Sequence, residues 1–475
     1  MTRKKLAIIG NGMATGRLLD ELIRRDGLSR FEVTVFGEEP HGCYNRILLN
    51  RVLLGGVVDD ITLKPAAWYA EHGVRLKSGA AVTRLSHAAH RLWTADGQEH
   101  YFDRAVFATG SVPRLPPIEG AKMPDGRWKD GVAVYRTAAD CERMRSFARS
   151  GRPAVVVGGG LLGLEAAKGL ADLGMSVTLL HLFDTLMNRQ VDGPGAIMLR
   201  RAIEKLGITV ITSANTKAVL GAKRAEAVLL GGGARVPADL VVFASGVKPR
   251  VDLAKDSDVP TNSGILVDDR LQTVLPDLYA VGECAEHNER VYGTVQPVYE
   301  QCAVLADVLT GANPDARYHG SKVYTRLKVV GIEVASMGDI DPQLIDDEVV
   351  QVIEEKRGVY RKLIIRNDRL AGAVLVGDSS AAANLVRRFE RGDPLPVNRL
   401  DLFASADRAS EPTGGVVCNC HQVTEPTLLA AVRGGCRTLQ DLSARTGAGT
   451  GCGSCRGQLA ALLLKAGKHP ATVAN

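Results

Sequence analysis

The sequence predicts an α/β chain with two doubly wound parallel-sheet units, a third α+β unit and a small helical module. Three observations predict it. An apolar β-branched run, a glycine-rich turn and an amphipathic helix pattern occur together twice, at "LAIIGNGMATGRLLDELI" and "AVVVGGGLLGLEAAKGLADLG". Each copy later reaches an apolar run closing in Ala-x-Gly, at "FDRAVFATGSVPR" and "ADLVVFASGVKPR". Finally, four cysteines stand in two tight pairs, Cys418/Cys420 and Cys452/Cys455.

The 475 residues are enough for about three domains. With 45% apolar and 24% charged residues, the composition is that of ordinary globular material. No apolar run approaches the ~18 residues of a membrane helix. The opening "MTRKKLAIIGNG" has too short an apolar run for a signal peptide and reads as a first strand. A cytoplasmic protein without membrane contact is expected. In a reducing compartment, nine cysteines read as thiols or metal ligands rather than disulfides. The net charge of +6 is spread without a Lys/Arg run, so no nucleic-acid partner is expected.

In the second copy, Gly158, Gly160 and Gly163 form a complete G-x-G-x-x-G between strand and helix. The first glycine makes the tight turn, the second lets backbone approach a pyrophosphate, and the third lets helix pack on strand. The phosphates then meet free N–H groups at a helix N-terminus. The first copy has Gly10 and Gly12, but Thr15 holds the third position and Gly16 follows; a slightly wider helix–strand contact is expected. Glu38 ends the following strand, where it is placed to accept from an adenosine ribose. Two βαβ copies imply two dinucleotides, and therefore two nested Rossmann-like dinucleotide-binding domains.

Across residues 1–310 the chain resembles the two-dinucleotide flavoproteins, the pyridine nucleotide–disulfide oxidoreductase superfamily. The resemblance implies FAD in the first copy, with Gly10, Gly12, Ala14 and Glu38, and NAD(P)H in the second. "ATG" with Thr109 and Gly110 matches the family's strand-end motif, and Gly246 stands at the same place in the second copy. "TVLPDLYAVGECAEH" is similar to the second FAD motif, with Gly282 and with Glu283 where an acid, usually Asp, holds the ribitol. Pro297 suits the first turn of a helix whose N-terminus would face the flavin pyrimidine ring. A well-capped helix is the plain alternative. In the disulfide branch a cysteine pair follows the first FAD segment. Here "HGCYNRILL" has Cys43 alone, so no dithiol forms within it, and Cys43 is read as a half-buried thiol. Asn45 and Arg46 are the expected FAD contacts in that stretch. His181 ends the second strand of the second copy, where an acid favours NAD and an arginine NADP, and no arginine follows until Arg189. NADH is expected, with NADPH open.

The segment after Cys418 reads as three short helices, at about 425–433, 439–446 and 456–466, with Pro426 in a first turn and Gly447 at a stop. Each iron of a [2Fe–2S] cluster takes two thiolates, which C-x-C and C-x-x-C supply. The six Lys/Arg against two Asp/Glu in 416–475 would offset its negative charge. Zinc in a closed four-thiolate site is the rival. Cys436 is left as a core thiol. The spacing resembles the bacterioferritin-associated-ferredoxin module, so the resemblance implies a [2Fe–2S] cluster on Cys418, Cys420, Cys452 and Cys455. "GNGMA", "YNRILL", "HLFDTLMNRQVD" and "AVGECAEHNERVYG" resemble nitrite reductase large subunits and the electron-transfer subunits of assimilatory nitrate reductase. "TRLKVVGIEVASMGD" and "YRKLIIRNDRLAGAVLVGD" resemble two to four strands of an interface-type domain.

The expected order is FAD binding at 1–115 and 236–312, NAD(P)H binding at 116–235, interface domain at 313–400, linker "DRASEPTGG" and cluster module at 414–466. The expected function is an NAD(P)H-oxidising flavoprotein, converting two-electron into one-electron transfer and serving the catalytic subunit of an assimilatory nitrate reductase. Because the chain ends at Asn475, no sirohaem domain is expected. A reductase for ferredoxin, rubredoxin or nitrite reductase shares every motif, and a metal-responsive regulator is the alternative of another class. No catalytic side chain is expected beyond a possible Glu165 beside the nicotinamide. His41, His181 and His287 are read as loop or surface residues.

Overall fold

A computed structural model gives the fold of residues 3–329, 331–403, 416–418, 421, 423–451, 453 and 455–467. The first unit is a parallel sheet in the order Leu278–Ala280, Arg104–Phe107, Lys4–Ile9, Phe31–Phe36, Arg75–Lys77. The second repeats it as Val132–Val134, Leu240–Phe243, Pro153–Val157, Ser176–Leu180, Thr209–Ile211, again all parallel. In each, the strand leading to the glycine turn lies at the centre. It is covered on both faces, which is why "LAII" and "AVVV" read as unbroken apolar runs.

The two copies close their turns alike. Gly10 has φ +113°, and a Cβ there would come 2.2 Å from the Ala108 carbonyl oxygen; Gly158 has φ +129° and would meet Ala244 O at 2.3 Å. The strands after the two Ala-x-Gly motifs, Ser111–Pro113 and Val247–Pro249, pair antiparallel and stitch the units together. Strand Leu240–Phe243 thus belongs to the second sheet, beyond the boundary expected at 236, and the chain returns to the first unit only after the stitch.

Helix Met13–Arg24 buries Thr15, Leu18, Leu19 and Leu22, the i, i+3, i+4, i+7 stripe of an amphipathic helix. That stripe packs into one core with Val298, Cys302 and Leu305 of helix Val295–Thr310. Removing Leu18 to alanine would cost about 2–5 kcal/mol. Gly311, at φ 66°, ends the second helix in the left-handed conformation.

The third unit is an antiparallel sheet in the order Tyr324–Val329, Ile332–Gly338, Arg369–Val376, Val359–Arg366, Glu348–Glu354, with helix Ala382–Arg391 on one face. The two segments expected to hold two to four strands hold four, and Glu348–Glu354 between them adds the fifth. Buried Asp192, the N-cap of helix Gly193–Glu204, anchors it by accepting from Lys362 Nζ at 2.9 Å and Tyr360 Oη at 2.5 Å.

The C-terminal module has a hairpin, Val416–Cys418 with Val423–Thr424, and helices Glu425–Arg433, Leu439–Thr446 and Arg456–Gly467. Local signals fix these helices. Thr424 caps the first, and Thr438 with Asp441 makes a reciprocal capping box on the second. Gly447 stops the second helix at φ 74°. Leu428, Leu442 and Leu459 of the module share a continuous apolar core with Leu18, Tyr299 and Cys302 of the first unit, so the module is docked. The expected linker at 407–415 lies outside the described residues. Among the described residues no helix is long and apolar enough to cross a membrane.

Candidate flavin, nicotinamide and cluster sites

A cleft of about 710 Å³ runs from the first glycine turn to the start of the second unit. Gly10, Gly12, Glu38, Arg46, Thr109 and Gly110 of the expected residues line it. A Cβ on Gly12 would meet nothing within 4 Å, so the N-terminus of helix Met13–Arg24 opens into free space. That is the cradle a pyrophosphate needs. The Thr15 hydroxyl donates to Gly10 O at 2.7 Å, so a hydrogen bond spans the wider contact, where a Cβ on Gly163 would come 1.7 Å from Gly158 O. Gly16 packs on Cys43 Sγ. Glu38 pairs with Arg250 (Nη2–Oε1 3.1 Å), which holds its carboxyl below the usual range. Arg250 is fixed in turn by Thr109 Oγ1, which donates to its carbonyl at 2.7 Å.

The second motif joins this turn from behind. Gly282 N–H donates to Gln301 Oε1 at 2.8 Å, and a Cβ on Gly282 would stand 3.2 Å from Ala14 Cβ. Glu283 accepts from Ser111 Oγ at 2.7 Å and pairs with Arg136. Pro297 is buried in the first turn of helix Val295–Thr310, as expected of the sequence. Residues some 270 positions apart are thus brought to one turn, the arrangement a long dinucleotide spans. Arg136, Ser111 and Arg250 were missed in the sequence because nothing local marks them; each is set by the stitching strands and by the start of the second unit.

Three residues differ from expectation. Asn45 turns away from the cleft: its Nδ2 donates to Thr450 O at 2.8 Å and Gly451 O at 2.9 Å, and its Oδ1 accepts from Ile47 N–H. Its amide is therefore spent on the module, and Asn45 is not among the residues that line the cleft. Cys43 is fully buried rather than half-buried, donates to Gly12 O, and is pushed up to about 12 by burial. His287 is 1% exposed and bonded to Asp269, a core residue rather than a loop or surface one. His41 lines the cleft mouth.

At the second turn Gly160 also opens into free space, while a Cβ on Gly163 would come 1.7 Å from Gly158 O. Gly246 has φ 95° with nothing near its Cβ. His181, buried against the turn, accepts the Gly159 N–H on Nδ1 at 2.9 Å, and burial lowers its pKa. It is a neutral ring and offers no cation to a 2′-phosphate. Glu165 is pushed up to about 7 by burial, the one cause, and its charge bears on buried Tyr135, whose hydroxyl has no hydrogen-bond partner among the described residues.

In the module, Cys418 ends the hairpin strand and Cys455 directly precedes helix Arg456–Gly467; both are buried in one cluster with Cys436. Cys420 and Cys452 lie outside the described residues. Buried thiols at a helix start suit an anionic iron–sulfur group. His421 bridges module and flavin unit. Its Nδ1 meets Arg17 Nη1 at 2.9 Å, its Nε2 meets Thr450 Oγ1 at 2.9 Å, and its ring packs edge-on against Tyr299. Burial and then Arg17 push it down to about 4, so it is neutral.

Comparison with known proteins accounts for each part. The pyridine nucleotide-disulphide oxidoreductase family model matches residues 4–303. The rubredoxin NAD+ reductase C-terminal domain matches 324–392, and the BFD-like [2Fe-2S] binding domain matches 416–465. The chain is similar to nitrite reductase [NAD(P)H] of Bacillus subtilis (strain 168), 36% identical over 96% of this chain and 57% of that protein. It is equally similar to the assimilatory nitrate reductase electron transfer subunit of the same organism, 36% identical over 96% of this chain and 59% of that one. It therefore spans little more than half the length of either relative. The crystal structure of NADH:rubredoxin oxidoreductase from Clostridium acetobutylicum superposes with a TM-score of 0.69 at 23% identity, covering 85% of this chain and 99% of that one. The match to the cluster family decides between the metals left open by the cysteine spacing. The chain belongs to the pyridine nucleotide-disulphide oxidoreductase family, as an NAD(P)H-dependent flavoprotein oxidoreductase that carries a [2Fe–2S] domain.

Proposed function

We propose that the chain oxidises NADH and delivers electrons singly to a protein acceptor, the catalytic subunit of an assimilatory nitrate reductase. The observation that carries the reading is the order of the parts. Tyr44 and Arg46 line the cleft, and Asn45 between them is bonded to the loop that leads into Cys452. Flavin site and cluster loop thus share one wall. The nitrate acceptor is supported by the similarity to the Bacillus electron transfer subunit.

When bound, FAD accepts electron pairs from NAD(P)H and a [2Fe–2S] cluster carries electrons one at a time. The chain's residues bind and orient. Gly10, Gly12 and Ala14 would hold the FAD pyrophosphate at a helix start, Glu38 the adenosine ribose, and Glu283 the ribitol. Arg46, Thr109, Gly110, Gly282 and the helix start at Pro297 would complete that site. Gly158, Gly160, Gly163 and Gly246 would hold the nicotinamide dinucleotide. Glu165, whose carboxyl burial pushes up to about 7, would stand on the nicotinamide side and in its protonated form donate a hydrogen bond there. Cys418, Cys420, Cys452 and Cys455 would hold the cluster.

A second acceptor class has its own support: the third unit matches the rubredoxin reductase C-terminal domain. The test is reconstitution. FAD- and iron-replete protein with NADH should drive nitrate reduction by an assimilatory catalytic subunit. Turnover with rubredoxin or a ferredoxin, and none with nitrate reductase, would overturn the nitrate assignment and leave the reductase reading.

A further inference from the structure

Asn45 is 1% exposed, yet it belongs to neither the apolar core nor the cleft. Its orientation is fixed from both ends. The Ile47 N–H requires an oxygen on one side at 3.0 Å, and the Thr450 and Gly451 carbonyls require a donor on the other. An amide satisfies all three, and a carboxylate would face two carbonyl oxygens. A buried donor lost here leaves two carbonyls unsatisfied.

The bonds land at a consequential place. Gly451 directly precedes Cys452, and Thr450 is also tied to His421, which directly follows Cys420. His421 is held in turn by Arg17 of the flavin unit. Since Arg17 can only donate, His421 accepts on Nδ1 and donates from Nε2 to Thr450 Oγ1, which passes its own proton to Gly447 O at 2.7 Å. On the opposite face of the same wall stand Tyr44 and Arg46. Arg46 Nη1 donates to Tyr44 Oη at 2.8 Å, and both reach Glu39.

We infer that Asn45 is a positioning residue for electron transfer: it pins the loop leading into Cys452 to the outer face of the flavin cleft and so sets the separation between flavin and cluster. The inference rests on the proposed function. Tunnelling rates fall exponentially with separation, so a loop that lifts by a fraction of its own width slows transfer and leaves both cofactors intact.

The test is anaerobic stopped-flow reduction of the full, FAD- and iron-replete chain by NADH, comparing Asn45→Asp with the unaltered protein. Flavin bleaching should keep its rate, while cluster reduction should slow at least about tenfold. The cluster potential should not move. Hydrogen exchange supplies a readout independent of turnover: amides in 13–24 and 295–310, under the docked module, should lose protection. Asn45→Ala, which removes both donors without adding charge, gives the same comparison if the aspartate variant does not retain flavin. Cluster reduction at the unaltered rate with unchanged exchange would overturn the inference, as would a slowed rate explained by a shifted potential. Failure of the unaltered protein to reduce its cluster with NADH would instead sink the proposed function.

Discussion

The Thr15 hydroxyl donates to the Gly10 carbonyl oxygen at 2.7 Å, closing in the first dinucleotide turn the approach that Gly163 closes in the second by lacking a side chain. The same contact is thus made tight by a missing side chain in one copy and bridged at a wider separation by a hydroxyl in the other, and the two should respond differently to substitution. Gly163→Val would force a Cβ to 1.7 Å from Gly158 O and should destabilise the second unit by about 3 kcal/mol or more. Thr15→Val, close in shape, should cost about 1 kcal/mol through the lost hydrogen bond. Thermal melts of the two variants check the contrast.

Burial holds the Glu165 carboxyl at about 7, against 4.5 for the free group. The folded chain therefore keeps a proton that the unfolded chain releases earlier. The group's favourable contribution is present below pH ~4.5 and is lost as pH rises towards 7. Glu165→Gln, neutral at every pH, should gain about 2–3 kcal/mol more relative to the parent at pH 8 than at pH 5. Denaturant unfolding at the two pH values measures this, and an equal effect at both would show an ordinary carboxyl.

Cys43 lies beside the first turn where the family's dithiol branch would place a redox pair, but it is fully buried and pushed up to about 12. A thiol so protonated is a poor nucleophile. Iodoacetamide applied to native protein should leave Cys43 unlabelled by peptide mass mapping, and labelling should be complete only after unfolding.

Cys418→Ser and Cys455→Ser should each abolish the [2Fe–2S] spectrum while leaving flavin content and NADH-dependent dye reduction in place. The two dinucleotide turns draw nothing from the module's thiols, so loss of flavin in these variants would mean the module holds the flavin unit together.

Both glycine turns, the capped helices of the module and the cysteine pairs were legible because each is written within a few residues. Pro426 and Gly447 mark helix limits locally, and the structure follows them. Arg136 at Glu283 and Arg250 at Glu38 were not legible: their partners lie 147 and 212 residues away. Asn45 was assigned to the flavin from its neighbours in sequence, yet adjacent side chains on an extended wall point to opposite sides. Tyr44 and Arg46 face the cleft and Asn45 faces the module. The unit boundary near 236 was misplaced because strand Leu240–Phe243 is apolar enough for either parallel sheet, and only the pairing decides.

The most direct test of the whole account is low-temperature EPR of anaerobic, FAD- and iron-replete protein before and after NADH. The account predicts a reduced [2Fe–2S] signal on adding NADH alone. No signal with NADH, NADPH or dithionite, together with stoichiometric zinc, would contradict it: the four cysteines would then hold a structural metal, and electrons would leave from the flavin.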